Sequence, residues 1–217
     1  PMGRVMKPLR EMGASIEGKN DNFCPLTLFP SELHGIEYRL PVASAQLKSA
    51  ILLAGLYAEG QTTVIEPAPS RDHTERMFRA LGVEIETSGS TITLDPPEDL
   101  HAVDIAVPGD ISSAAFFLVA GAIVPGSELT IKNVGVNPTR TGVLDVLRDM
   151  GADITESNFR DEAEPMCDLT VKYSKLHGVE IGGAIIPRLI DELPVIAVAA
   201  AFAEGETVIR DAQELKV

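Results

Sequence analysis

Three short polar clusters in this chain sit where long apolar runs begin, and their residue types suit the binding of an anion. The first is PVASAQLKSA, which puts Ser44 and Gln46 on a first helical turn, with Ala45 between them. The second is GDISSAA, with Asp110, Ser112 and Ser113. The third is IPRLIDELP, with Asp191 and Glu192 just ahead of Pro194. Ser, Asp and Glu favour helix starts because they satisfy free N–H groups and the helix dipole. The same free N–H groups bind phosphate when no side chain occupies them. Capping and ligand binding therefore both remain open for these residues. At Asp191 the dipole stabilises the carboxylate by about 0.3–1 kcal/mol. That suits a group accepting a hydrogen bond, or a proton, from a hydroxyl.

The densest set of ionisable side chains is PAPSRDHTERM. Asp72 or Ser70 is placed to cap the following helix, while Arg71 and His73 fall in the loop before it. Arg71 is suited either to a surface ion pair with Glu75, worth little, or to bidentate grip on a phosphate or carboxylate. His73 reads as a polar loop residue rather than a base. Lys48, Arg4, Lys7 and Arg140 are candidate cations for a cleft, though a solvated helix face is the simpler expectation for each. Nucleotide-binding glycine loops, a serine-hydrolase elbow and a zinc-protease motif do not occur in the sequence.

The elements that must carry these residues repeat. Helical runs Ser44–Gly60, Ser112–Gly126 and Asp191–Gly205 each end in Gly and pass into a strand: TTVIE, ELTIKN and ETVIRD. Between them recur REMGASIE, RALGVEIE and RDMGADIT, whose glycines Gly13, Gly82 and Gly151 lie 69 residues apart. A fixed period of this kind marks copies of one structural unit. Within a period, a helix such as Thr74–Leu81 stops at Gly82 and is followed by a hairpin, Val83–Thr87 and Thr91–Leu94. Asp104–Val107 is expected to open the next strand, and Asn158–Pro165 to form a longer loop. The class is α/β with mixed (α+β) sheets, in βαβαββ order with helices on one face. The Pro108–Gly109 pair is the expected boundary between two partial domains, residues 1–108 and 109–217.

Composition narrows the rest. The 217 residues are 45% hydrophobic and 23% charged, enough to build a core. A net charge of −14, from 32 acidic and 18 basic residues, argues against a nucleic-acid partner. It leaves small anions open. Two cysteines without metal-type or disulfide-type spacing point to a reducing, cytoplasmic setting. The longest apolar stretch, from Val195, is too short to span a bilayer, so no membrane partner is expected.

Taken together, SAQLKSAILLAGLYAEGQTTVIEP, SRDHTERMFRALG, the run from GDISSAA to VLRDMGA, and IDELPVIAVAAAFAEGET resemble the 5-enolpyruvylshikimate-3-phosphate synthases of the bacterial type. The resemblance runs through essentially the whole chain. It implies two domains, each of three βαβαββ copies, closing over a cleft. It also implies transfer of the enolpyruvyl group of phosphoenolpyruvate to the 5-hydroxyl of shikimate 3-phosphate, in the shikimate pathway. No metal or organic cofactor is implied, and glyphosate competes with phosphoenolpyruvate.

By the same resemblance, Ser44, Ala45 and Gln46 hold shikimate 3-phosphate, Ala45 through its backbone. Gln46 also reaches the phosphoenolpyruvate side. Arg71 lies near the shikimate phosphate, and Asp191 binds the 5-hydroxyl and moves its proton. Family segments carrying most of the phosphoenolpyruvate-binding cations are not in this sequence, nor is the Gly-rich segment that decides glyphosate sensitivity. The chain is therefore expected to be a central part of the enzyme, inactive alone, that could self-associate through sheet edges although the family is usually monomeric. A UDP-N-acetylglucosamine enolpyruvyl transferase is the nearest alternative, but neither Cys24 nor Cys167 has the context of its reactive loop cysteine. An RNA 3′-terminal phosphate cyclase is disfavoured by acidity. A non-catalytic binding or assembly piece is the alternative from another class.

Overall fold

Helices of two chemical kinds alternate along the chain, and this alternation orders the fold. In the computed structural model, which describes residues 1–216, contacts divide the chain into two units, Pro1–Asp104 and Ile105 onward. The first unit opens with α1 (Gly3–Glu11) and the hairpin of β1 (Ser15–Lys19) and β2 (Phe23–Phe29). A full βαβαββ unit follows: β3 (Glu37–Arg39), α2 (Ala45–Gly55), β4 (Thr62–Ile65), α3 (His73–Ala80), β5 (Ile85–Ser88) and β6 (Thr91–Leu94). β3 and β4 run parallel, and the remaining pairs are antiparallel, in the order β3-β4-β6-β5. α3 is amphipathic and buries Phe78, whereas α2 is apolar around most of its circumference. A helix of the second kind has to be enclosed. Leu47, Ile51 and Leu52 of α2 accordingly pack with Phe78, Val64, Ile92 and Leu94.

The second unit repeats the pattern. α4 (Ile111–Ile123), β7 (Glu128–Gly135), α5 (Gly142–Asp149), β8 (Asp153–Asp161) and β9 (Pro165–Lys172) form an αβαββ series. Their antiparallel sheet has the order β7-β9-β8. Then come β10 (Glu180–Ile181), 3-10 turns at Gly183–Arg188 and Ile190–Glu192, α6 (Leu193–Ala201) and β11 (Val208–Ile209), with β10 and β11 parallel. Leu118 and Val119 of α4, Leu144 and Leu147 of α5, and Ile196 of α6 belong to one buried cluster. The outer faces of α4 and α6, including Phe116 and Val198, are exposed and enclose an open apolar groove. No helix among the described residues is long and apolar enough to cross a membrane.

Several expectations are corrected. Asp104–Val107 is not a strand. The pairing there is an isolated bridge between Gly109 and Val134. The expected loop Asn158–Pro165 is mostly strand. β8 continues to Asp161 through a register shift after Ser157, with Asn158 in the left-handed region at φ 52°. α6 begins at Leu193, so Asp191 lies in a 3-10 turn before it. The strand expected across ETVIRD is only Val208–Ile209.

The helix-terminating glycines Gly13, Gly82 and Gly151 have φ of 101°, 83° and 93°, the left-handed stop their position requires. Each is covered by a histidine from beyond the following hairpin. The amides of His34, His101 and His177 donate to the carbonyls of Met12, Leu81 and Met150. These histidines lie in ELHGIEY, DLHAVDI and KLHGVEI, a repeat that was not read from the sequence. At two of them the next residue is Gly, and its amide is bound too: Gly35 to the Glu59 carbonyl and Gly178 to that of Glu204. A Cβ at Gly178 would stand 2.1 Å from the Glu206 carbonyl oxygen, and one at Gly35 2.1 Å from that of Gln61. Gly178→Ala is therefore expected to lower stability by about 1–3 kcal/mol. Urea denaturation checks this, and a variant as stable as the parent contradicts the close approach.

Candidate functional site

Each unit collects polar side chains at the start of its long apolar helix. In the first unit Ser44 is the N-cap of α2, extended at φ −145°, and its hydroxyl accepts from the Leu47 amide at 3.4 Å. Ala45 begins the helix and is half-buried, while Gln46 is exposed on the same turn. The Gln46 amide oxygen accepts from the guanidinium of Arg4 on α1 at 2.6 Å. Arg71 is half-buried on the loop between β4 and α3. Ser44, Ala45, Gln46 and Arg71 thus belong to one unit, and the beginning of α2 and the Arg71 loop are fastened to each other.

That fastening is a buried lysine. Lys48, expected on a solvated helix face, is 1% exposed. Its ammonium lies 3.1 Å from Glu66, where β4 ends, and 2.7 Å from Glu75 on α3. Glu66 also accepts from the Ser70 hydroxyl, and Ser49 and Thr74 hydroxyls meet at 2.6 Å. Glu75, expected as a surface partner for Arg71, is instead inside. Asp72 holds the N-cap position of α3 but without a side-chain capping bond, pairing instead with Arg76 at 3.0 Å, while Ser70 is held by Glu66 and His73 is already helical. A buried cation must be paired, because desolvation is expensive. One lysine thereby ties α2, the Arg71 loop and α3 together.

In the second unit Asp110 is the N-cap of α4, accepting from the amides of Ser112 (3.2 Å) and Ser113 (2.9 Å) and from the Ser113 hydroxyl (2.9 Å). Burial pushes the Asp110 carboxyl up. The bonds from Ser113 and Ser112, with the Arg140 charge, outweigh it and leave the pKa below the ordinary 3.8. Ser112 does something different, donating its hydroxyl to Glu192 and accepting from Arg140 at 2.6 Å. Arg140, expected on a solvated face, is 15% exposed and 3.6 Å from Glu192. Asp191, next in the chain, is exposed. No cluster of three or more His, Cys, Asp or Glu able to hold a metal occurs among the described residues. The Cys167 thiol is pushed up to about 11 by burial, with Glu156 and Asp168 adding to it, and is poorly suited to nucleophilic work.

Sequence reasoning missed Glu66, Glu75 and Glu192 as partners. The signal was present at Lys48, a lone charge inside the apolar run LKSAILLAG, which demands an acidic neighbour if the run is enclosed. Lys48→Met is expected to cost about 3–5 kcal/mol, because it leaves two carboxylates buried without a counter-charge. Neutralising Glu66 and Glu75 to Gln in the same chain should return most of that loss in thermal denaturation. Asp110→Ala is expected to cost about 1 kcal/mol at neutral pH through the lost cap. Since folding lowers the Asp110 pKa, its charge-dependent contribution is present above pH 3.8. The difference between parent and variant should shrink as the pH falls through the folded value.

A family model described as EPSP synthase (3-phosphoshikimate 1-carboxyvinyltransferase) matches residues 1–217. The 3-phosphoshikimate 1-carboxyvinyltransferase of Geobacillus kaustophilus is 62% identical over 219 residues, covering 100% of this chain and 51% of that protein. The one from Thermoanaerobacter sp. (strain X514) is 59% identical over 218 residues, covering 100% of this chain and 52% of that protein. The structure of EPSP synthase from Acinetobacter baumannii aligns with a TM-score of 0.93 at 49% identity, over 100% of this chain and 50% of that one. The enolpyruvyl transferase NikO from Streptomyces tendae aligns over 98% of this chain and 51% of that one, with a TM-score of 0.77 at 22% identity, a likeness of fold alone. The chain spans about half the length of the curated relatives it matches. With the fold, the repeated unit and the family model in agreement across residues 1–217, this chain belongs to the EPSP synthase family.

Proposed function

We propose that this chain is about half of a 3-phosphoshikimate 1-carboxyvinyltransferase, carrying much of its shikimate 3-phosphate site. The reaction is transfer of the enolpyruvyl group of phosphoenolpyruvate to the 5-hydroxyl of shikimate 3-phosphate. The observation that carries this reading is the union of Ser44, Ala45 and Gln46 with the Arg71 loop through Lys48, in a chain that matches the family along its whole length. The first turn of α2 offers amides and a hydroxyl, and Arg71 offers a planar cation suited to phosphate.

In this reading Asp191 accepts the proton of the 5-hydroxyl as that oxygen attacks. Residues 1–108 and 109–217 are parts of the first and second enolpyruvyl transferase domains, and the chain works in the cytoplasm. Edge strands β3 and β5 of the first sheet give the isolated chain a route to self-association, detectable by sedimentation at rising concentration.

Calorimetric titration with shikimate 3-phosphate tests the reading. Saturable binding is expected, weakened at least about tenfold by Arg71→Ala through loss of a charge-assisted bond. Gln46→Ala should weaken it too. Binding unaffected by either change overturns the site assignment. Phosphate release from phosphoenolpyruvate should be absent for the 217-residue chain and present for the full-length enzyme, and normal turnover by the short chain would contradict its being half of the catalyst.

A further inference from the structure

Loop 137–141, between β7 and α5, is bound from both sides to the segment that leads into and carries Asp191. Asn137 is buried and folds the loop on itself, its side-chain oxygen accepting from the amide (2.9 Å) and hydroxyl (2.7 Å) of Thr139. This is an Asx-type turn, which fixes the loop from within. From the Asp191 side, Arg188 donates to the Pro138 carbonyl at 2.8 Å and the Thr141 hydroxyl at 3.1 Å, and pairs with Asp145 at 2.9 Å. From the loop side, Arg140 donates to Ser112 at 2.6 Å and lies 3.6 Å from Glu192 and 3.5 Å from Asp110. Gly142 completes the contact, since a Cβ there would stand 3.0 Å from the Leu189 side chain.

Glu192 is where these bonds converge. Its side chain is 2% exposed, it accepts from the Ser112 hydroxyl, and its amide donates to the Leu189 carbonyl at 2.9 Å. It is also the residue after Asp191. A buried carboxylate held by a hydroxyl and a guanidinium has one favourable position, and the peptide bond passes that position to its neighbour. Asp191 itself is exposed.

We infer that Glu192, held by Ser112 and Arg140, is a positioning residue for Asp191 in the enolpyruvyl transfer. The inference rests on the proposed role of Asp191 at the 5-hydroxyl. Glu192 never touches substrate in this account. It sets the distance over which Asp191 takes the proton, so its loss falls on the chemical step rather than on binding.

The test is steady-state kinetics of the full-length enzyme with Asp191→Ala, Glu192→Gln, Arg140→Gln and the Glu192→Gln/Arg140→Gln pair. Glu192→Gln keeps an acceptor for Ser112 and removes only the charge. It should lower kcat about tenfold or more with the KM for shikimate 3-phosphate little changed. The pair should be no worse than the more damaging single change, because both break one network. Should Glu192→Gln fail to bind shikimate 3-phosphate, Ser112→Ala, which deletes one hydroxyl, is expected to give the same split between kcat and KM. Wild-type kcat in Glu192→Gln or Ser112→Ala beside an inactive Asp191→Ala overturns the inference and leaves the function standing. Wild-type kcat in Asp191→Ala overturns the role of Asp191 and the inference with it.

Discussion

An α-helix that is apolar around most of its circumference has no polar face to present to water, and α2, α4 and α6 are close to that limit. Their sides offer few positions where charge can be held in water. Polar chemistry is driven to their N-terminal ends, where the backbone has free donors and the dipole favours anions. The candidate residues of both units sit at such ends: Ser44 to Gln46 on α2, Asp110 to Ser113 on α4, and Asp191 before α6. The price of that arrangement is that each end must be anchored by groups that are themselves buried. Lys48 with Glu66 and Glu75 anchors the first, and Glu192 with Ser112 and Arg140 links the other two.

Much of this was legible in the sequence because it depends on local signals. The 69-residue spacing of Gly13, Gly82 and Gly151 reports a left-handed helix stop that only glycine meets cheaply, so the repeat survives in plain view. Ser44 and Asp110 follow the preferences of N-caps. What was not legible is what depends on partners far along the chain. Lys48 and Glu66 are neighbours only because α2 and β4 fold back on each other, and nothing near Lys48 in sequence says which acid it meets. Arg140 and Glu192 are further apart still, and their charge favours the surface until the fold supplies both at once.

Local rules also failed where tertiary pairing overrode them. Asp104–Val107, expected to open a strand, lacks a ladder, and the pairing lies at Gly109. Asn158 belongs to a residue type that favours turns, yet it sits in a register shift within β8, where its side chain donates to Asp168 at 2.9 Å. In both cases the propensity was real, and the neighbouring strand decided its use.

The histidine clamp has a consequence for how copies of this unit diverge. It closes the base of each hairpin, joining the residue before the helix stop to a point beyond the last strand. Everything between lies outside the closure. β5 and β6 have 4 residues each, whereas β8 and β9 have 9 and 8, and the clamp at His177 still closes as it does at His101. Hairpin length is thus uncoupled from the packing of the helices beneath it. Insertions there add surface without shifting a helix start, so the outer loops of such a protein are free to vary while the polar helix ends remain in place.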